Sequence, residues 1–380
     1  MSDSLKALLK VQSLSKTARA RVPFYRADVS DHHRRKVGRP YPKRVPESSP
    51  MTGTGMPFLT FWADVGGEQM ASELVVDMNI PNALVGHNFV HGTSVYAAGM
   101  ATLALLKLCL KGHGVPTAEL DRLTPDQISL QGVTVTYLLE FGTEGELAKF
   151  VSAAEFTAKT FRIATKMVDS SNLTITVPLR GASTTMYGKT DFSHCAVEDP
   201  AVVRSLKAVA ARTARIEVYL QGHLLRDRNW DTIASWKGAY FQGRYEAIFN
   251  EFVRGPFRCA DLLRTKKPRA AALVPLTPGQ ASALAAYFNG DALDAIPQIA
   301  DGETAMARSK RKSKLKRALL KKTRIDIGIP WREHQKLDSV YLARTLTYPG
   351  DYHPAEDLAP HCFCRASWPE WRRKLETALQ

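Results

Sequence analysis

Cysteine is scarce in this chain. The five present, Cys109, Cys195, Cys259, Cys362 and Cys364, are odd in number and form no CxxC pair. That spacing excludes a zinc ribbon and a disulfide framework and fits a reducing compartment. Long hydrophobic runs are missing too: the longest, residues 96–106, is followed by Lys107 and falls well short of the roughly 20 residues that cross a bilayer. The first residues, Met-Ser-Asp-Ser-Leu-Lys, lack the apolar core of a secretory signal, so the expected location is the cytoplasm, with no membrane partner. No GxxxxGK followed by Ser or Thr, no GxSxG and no HExxH occurs. P-loop hydrolysis, the nucleophile-elbow hydrolases and the zincins therefore have no support.

What is present is length, apolar content and positive charge. The 380 residues are 44% hydrophobic, enough for one large core or two domains. The formal charge is +15, and it is concentrated in two places. Residues 1–50 hold 12 Lys and Arg against 4 acids, and residues 308–324 hold 10 with no acid at all. The remainder is slightly acidic. A near-neutral body with two cationic segments predicts a polyanion partner.

Residues 16–56 alternate basic residues with Pro, Gly and Ser, so residues 1–56 read as a basic, partly disordered arm. Residues 58–64 and 73–79 flank Val65-Gly66-Gly67 as a hairpin. Residues 93–110 are apolar at helical spacing and are closed by Gly112 and Gly114. A strand at 132–141 precedes the capping box Thr143-Glu144-Gly145-Glu146, which opens a helix to about residue 165. A hairpin over 173–189, a helix at 200–211 and a strand at 214–221 follow. Strands broken by single helices predict an α+β domain with a mainly antiparallel sheet. It extends over residues 57–270, with residues 230–252 helical, and residues 271–380 form a helical, basic C-terminal module.

Residues two apart in a strand share a face. Tyr187 and Lys189 thus project together, as do Arg215, Glu217 and Tyr219, opposite Ile216, Val218 and Leu220. On 73–79 the polar face is Glu73, Val75, Asp77 and Asn79. A phenol beside an ammonium is suited to attack phosphorus, because the cation favours the phenolate and neutralises the phosphate. Carboxylates on adjacent strands would suit Mg²⁺ or Mn²⁺. The product of such an assembly is a nick with a 5′-phosphotyrosyl link. Plainer readings stand beside each pair: Tyr187 and Lys189 as a half-exposed cross-strand pair, and Arg215 with Glu217 as a surface ion-pair ladder. His87 and His91 are four apart, but Gly86 and Gly92 place them in a loop, where hydrogen-bonded structural histidines suffice.

Taken together, several segments resemble the gene II/X family of filamentous-phage and plasmid replication initiators. Asn79-Ile80-Pro81-Asn82-Ala83-Leu84-Val85-Gly86-His87-Asn88-Phe89 is similar to that family's Ser-Leu-Pro-Lys-Leu-Leu-type run ending in Gly-His-Asn before a long helix. Val135-Thr136-Tyr137 before an acidic helix start, Met186-Tyr187-Gly188-Lys189, and Ala214-Arg215-Ile216-Glu217-Val218 with Leu224, Leu225 and Trp230 downstream keep the family's order and spacing. Ile325-Asp326-Ile327-Gly328-Ile329-Pro330-Trp331 resembles its short C-terminal module.

The resemblance covers patches of residues 57–350 and implies a rolling-circle initiator. Such an enzyme nicks one strand at an origin, keeps the 5′ end, leaves a 3′-hydroxyl to prime synthesis, and later rejoins the ends. It implies Tyr187 as nucleophile, Lys189 as helper, Glu217 and more weakly Asp77 and His87 as ligands for Mg²⁺ or Mn²⁺, and Arg215 on a phosphate. It also implies origin DNA, single- and double-stranded, and the host's replication helicase or polymerase as partners, in a host cell's cytoplasm if the element is a phage. Lys310, Arg311, Lys312, Lys314, Lys316 and Arg317 are expected to grip DNA backbone.

Three departures stand out. Where the family commonly carries Arg-x-Asp before the acidic helix, this chain has Gly132-Val133-Thr134. The His-hydrophobic-His motif of many rolling-circle nucleases is absent, and residues 16–56 match no first family strand. The alternatives are a non-enzymatic basic DNA-binding protein sharing the fold, and an RNA-binding protein in which Tyr187 and Phe192 stack on bases.

Overall fold

The computed structural model describes residues 2–23, 43–65, 68–160, 163, 165, 167–169, 174–189, 192, 195–238, 241–257, 276–291, 304–323, 325–332 and 345–380. Its centre is an antiparallel sheet of nine strands: β1 Ser2–Lys10, β2 Lys43–Val45, β3 Phe58–Val65, β4 Glu68–Asn79, β5 Ile128–Glu140, β6 Met167–Asp169, β7 Thr174–Leu179, β8 Ala182–Gly188 and β9 Thr213–Gln221. Their spatial order is β2-β3-β4-β1-β5-β9-β8-β7-β6. With the helices packed on it, the sheet makes the α+β fold that the sequence predicts.

The expected arm is where the structure differs most. Ser2–Lys10 is no arm: it pairs with β4 on one side and β5 on the other and buries Leu5, Ala7 and Leu9. The physical reason lies in its alternation, since Leu5, Ala7 and Leu9 face the core while Ser4, Lys6 and Lys10 do not. Helix α1, Lys16–Arg21, follows, capped by the Ser15 hydroxyl. Residues 24–42 of the expected arm lie outside the described residues, as do Gly66 and Gly67 of the expected hairpin turn.

Alternation gives the sheet two unlike faces. Leu5, Leu9, Val133, Val135, Tyr137, Met186, Ile216, Val218 and Leu220 belong to the main core. Helix α2 is Ile80–Val85, and helix α3, Val95–Gly112, lies against the sheet and buries Val95, Ala98, Leu105, Leu106 and Leu110 among others. By length and composition α3 would pass for a membrane span, but 67% of it is buried inside the protein, which is the mark of a core helix. The opposite face carries Ser4, Lys6, Asp77, Thr134, Thr136, Thr185, Tyr187, Arg215, Glu217 and Tyr219, as the strand registers require.

Helix α4, Glu144–Thr160, ends before the expected residue 165. Strands β7 and β8 form the expected hairpin across Arg180 and Gly181, whose φ of +74° suits glycine. Helix α5, Pro200–Ala211, is capped by the Asp199 carboxylate. The expected continuous helix at 230–252 is broken instead: Ala234–Trp236 is a 3₁₀ turn, Gly238 has φ +103°, and Phe241–Ile248 runs on into the π-helical turn Phe249–Arg254.

The expected C-terminal module also divides. Helix α6, Pro278–Asn289, and helix α7, Ala305–Thr323, share a small core of Leu284, Tyr287, Leu319, Ile325, Ile327 and Trp331. Residues 345–380 instead rejoin the main body. Helix α8, Trp368–Leu379, packs on α3, and Leu346, Phe363 and Leu375 belong to the main core.

Candidate active site

Two of the segments that the sequence singles out meet at one end of the polar face. Asn79 caps α2 by accepting from the Asn82 N–H at 3.0 Å, and Gly86 ends the helix with φ +80°. At Gly86 a Cβ would come within 3.0 Å of the Ala196 side chain. The chain then turns beneath the sheet as the loop 87–92, so the Gly-His-Asn block delivers a backbone carbonyl to β9.

The Arg215 guanidinium receives that carbonyl. Arg215 is 0% exposed, donates to the Asn88 carbonyl, and donates to Glu217 Oε1 at 3.0 Å. Glu217 Oε1 also accepts from the Tyr187 hydroxyl at 2.5 Å. The contact follows from register: Tyr187 lies opposite Arg215 and Thr185 opposite Glu217, so phenol and carboxylate are diagonal neighbours on one face. The guanidinium carbon sits 5.6 Å from the Tyr187 ring centroid. Tyr187 is half-buried and the Glu217 side chain is 23% exposed, so the pair is in contact with solvent. Lys189 follows two residues on, just past the end of β8 and half-buried.

Burial explains the histidines. His87 Nε2 donates to the His361 carbonyl at 2.7 Å, while Nδ1 accepts from the Phe89 N–H at 3.1 Å, which fixes the neutral Nε2–H tautomer. Burial pushes its pKa down to about 4; the His361 hydrogen bond opposes this and the Arg215 charge adds to it. His91, fully buried, is pushed well down by burial and Arg215 while Glu217 opposes. An unfolded chain protonates these rings near 6.5 and the folded chain resists, so stability is whole above that pH and falls as the pH drops. Between about pH 7 and pH 4 His87 alone is expected to cost roughly 3 kcal/mol of unfolding free energy. Urea titrations across that range check this, and His87→Asn should flatten the slope.

Several expected site residues do not converge. Asp77 lies in register with Lys6, Gly132 and Gln221, three strands and four residues from Glu217, or roughly 20 Å at ordinary sheet spacings. His87 has both ring nitrogens engaged, and Thr134 takes a hydrogen bond from Ser4 at 2.9 Å. Arg215, expected on a phosphate, is buried with its charge turned to Glu217 and Asn88.

The donor set among the described residues therefore does not fit a divalent cation: the Glu217 carboxylate, already accepting from a guanidinium and a phenol, stands beside a full positive charge. Among the described residues no group of three or more His, Cys, Asp or Glu side chains is arranged so that it could hold a metal ion. The cationic residues of α7 form a helix of their own, with Leu319 and Thr323 buried, Leu315 partly buried, and Lys310, Lys314 and Arg317 exposed.

Sequence reasoning missed the segment that closes the site from behind. Gly92 N–H donates to the Phe363 carbonyl at 3.0 Å and Arg365 N–H to the Gly92 carbonyl at 3.1 Å, and Cys362 and Cys364 pack with Phe89, Val90 and Leu138. No local signal marks 361–365 as belonging with residues 87–92. No protein-family model, curated protein or solved structure matches the chain.

Proposed function

We propose that this protein cleaves and rejoins one strand of DNA through Tyr187, in the manner of a rolling-circle replication initiator. The observation that carries the reading is the 2.5 Å hydrogen bond from the Tyr187 hydroxyl to Glu217 at a solvent-reached point of the polar sheet face. In the first step Glu217 takes the phenolic proton as the Tyr187 oxygen forms a bond to phosphorus. The bond from phosphorus to the 3′-oxygen breaks, and that oxygen leaves with a proton from water as a 3′-hydroxyl. Arg215 holds the carboxylate in place and Lys189 sets positive charge near the phosphate. The phosphotyrosyl diester conserves the bond, so a 3′-hydroxyl can later attack it, displace the phenol and reseal the strand.

No step here runs through a metal ion, because Glu217 is engaged by Tyr187 and Arg215 and no group of three or more His, Cys, Asp or Glu that could hold one is found among the described residues. The test uses supercoiled DNA bearing the element's own origin, incubated with Mg²⁺, with Mn²⁺ and with chelator. The expected result is a nick with protein on the 5′ end in all three. Absence of nick and adduct in every arm removes the reading. The Thr134 substitution favours a rival, a DNA-binding protein that shares the fold and does not cut, and the same assay decides between them.

In this reading α7 holds DNA through phosphates. Replacing Lys310, Lys314 and Arg317 by Gln, all three exposed, should lower the slope of log affinity against log salt by about 2–3, near 0.7–0.9 per lost contact. Titrations at several salt concentrations measure it, and an unchanged slope would take α7 out of the interface.

A further inference from the structure

The open end of the polar face holds an aromatic ring that the cleavage chemistry does not use. Tyr219 follows Glu217 by two residues on β9 and shares its face. At neighbouring Gly132 on β5, a Cβ would meet Tyr219 Oη at 2.6 Å, Cε2 at 2.9 Å and Cζ at 3.0 Å. The phenol therefore lies across the bare backbone of Gly132, and any side chain there would lift it. The hydroxyl end thus lies over β5, where burial and the Asp77 charge both push its pKa up. Tyr219 is nonetheless half-exposed, and Lys6 and Asp77 beyond it are exposed. The other end of the face is closed by Leu138, Phe89, Leu206 and Ala210.

From this we infer that Tyr219 is a positioning residue that seats a base of the single strand whose phosphate lies at Tyr187. The inference rests on the strand-cleaving reading and names how its substrate is held. A half-exposed ring laid across a glycine offers a π face to a strand on the sheet, and bases of any identity stack on such a face. Tyr219 is one strand over and four residues along from Tyr187, about 14 Å at ordinary sheet spacings, within one short segment of extended strand. Lys6 and Asp77 oppose each other in register, so charge is balanced at this end and stacking supplies the grip. The exchange of Arg-x-Asp for Gly132-Val133-Thr134 thereby acquires a reason: glycine at 132 makes the seat.

The experiment follows binding of an oligothymidylate carrying one 2-aminopurine, at low and at moderate salt. Tyr219→Leu should weaken binding roughly ten- to a hundred-fold, by the same factor at both salts, and abolish 2-aminopurine quenching. Tyr219→Phe should restore binding to within about two-fold, since the ring and not the hydroxyl is used. Gly132→Ala, which tilts the ring without removing it, should reproduce part of the loss and keeps the test open if Tyr219→Leu misfolds. Affinity and quenching unchanged in Tyr219→Leu, or a loss that vanishes at higher salt, overturns the inference. A wild-type protein that binds no single-stranded DNA sinks the strand-cleaving reading itself. An RNA of the same sequence, with U for T, that binds more tightly overturns the choice of DNA.

Discussion

Tyr187→Phe is expected to lose the covalent protein–DNA adduct altogether, a fall in cleavage of at least about a thousand-fold, while DNA affinity and its salt dependence stay close to wild type. The substitution deletes one oxygen. It keeps the ring on β8 and removes the 2.5 Å hydrogen bond to Glu217, so the stability cost should stay near 1 kcal/mol. Glu217→Gln separates nucleophile from base: the amide oxygen still accepts a hydrogen bond but takes no proton, so cleavage should fall by about 10²–10⁴. It also leaves the buried Arg215 without its anion, and a lowered melting point should accompany the slower reaction. Radiolabelled origin DNA, resolved under denaturing conditions, reports both. A nick rate in Tyr187→Phe equal to that of the unmodified protein would take the phenol out of the chemistry.

Deletion of residues 2–10 is the second large effect. If these residues were an arm, their loss would weaken DNA binding and leave the fold alone. The sheet places them between β4 and β5, with both ladders made and Leu5, Ala7 and Leu9 buried. Removing two buried leucines costs about 1.5–3 kcal/mol each before either ladder is counted. Separating two halves of a sheet adds a row of unpaired backbone groups on each side. Against a typical stability of about 5–15 kcal/mol, no cooperative unfolding transition should remain. Circular dichroism against temperature reads this directly, and a sharp transition in the shortened chain would contradict the strand.

Local patterns carried much of the fold. The Asp199 cap and following Pro200 mark α5, Arg180-Gly181 marks the β7–β8 hairpin, and period-two alternation marks β9 with Arg215, Glu217 and Tyr219 on one face. What escaped depends on partners distant in the chain. Strand β1 pairs with residues near 75 and near 130, and its doubled Leu8-Leu9 and basic neighbours hide the alternation. Residues 345–380 look like more of the basic helical region, yet Phe363 and Leu375 find their partners in the main core. The meeting of Tyr187 with Glu217 needed the β8–β9 register, and the separation of Asp77 from Glu217 needed the registers of β4, β1, β5 and β9.

The hydrogen bond between His87 and the His361 carbonyl spans 274 positions of the chain. A ribosome therefore finishes the front wall of the site long before it makes the rear one. Until residues 361–365 emerge and dock, the 87–92 loop lacks the hydrogen bonds to His361, Phe363 and Arg365 that hold it against Arg215. A nascent or prematurely terminated chain would carry the cationic α7 without the finished surroundings of Arg215 and Glu217; on the strand-cleaving proposal, nicking then waits on late synthesis.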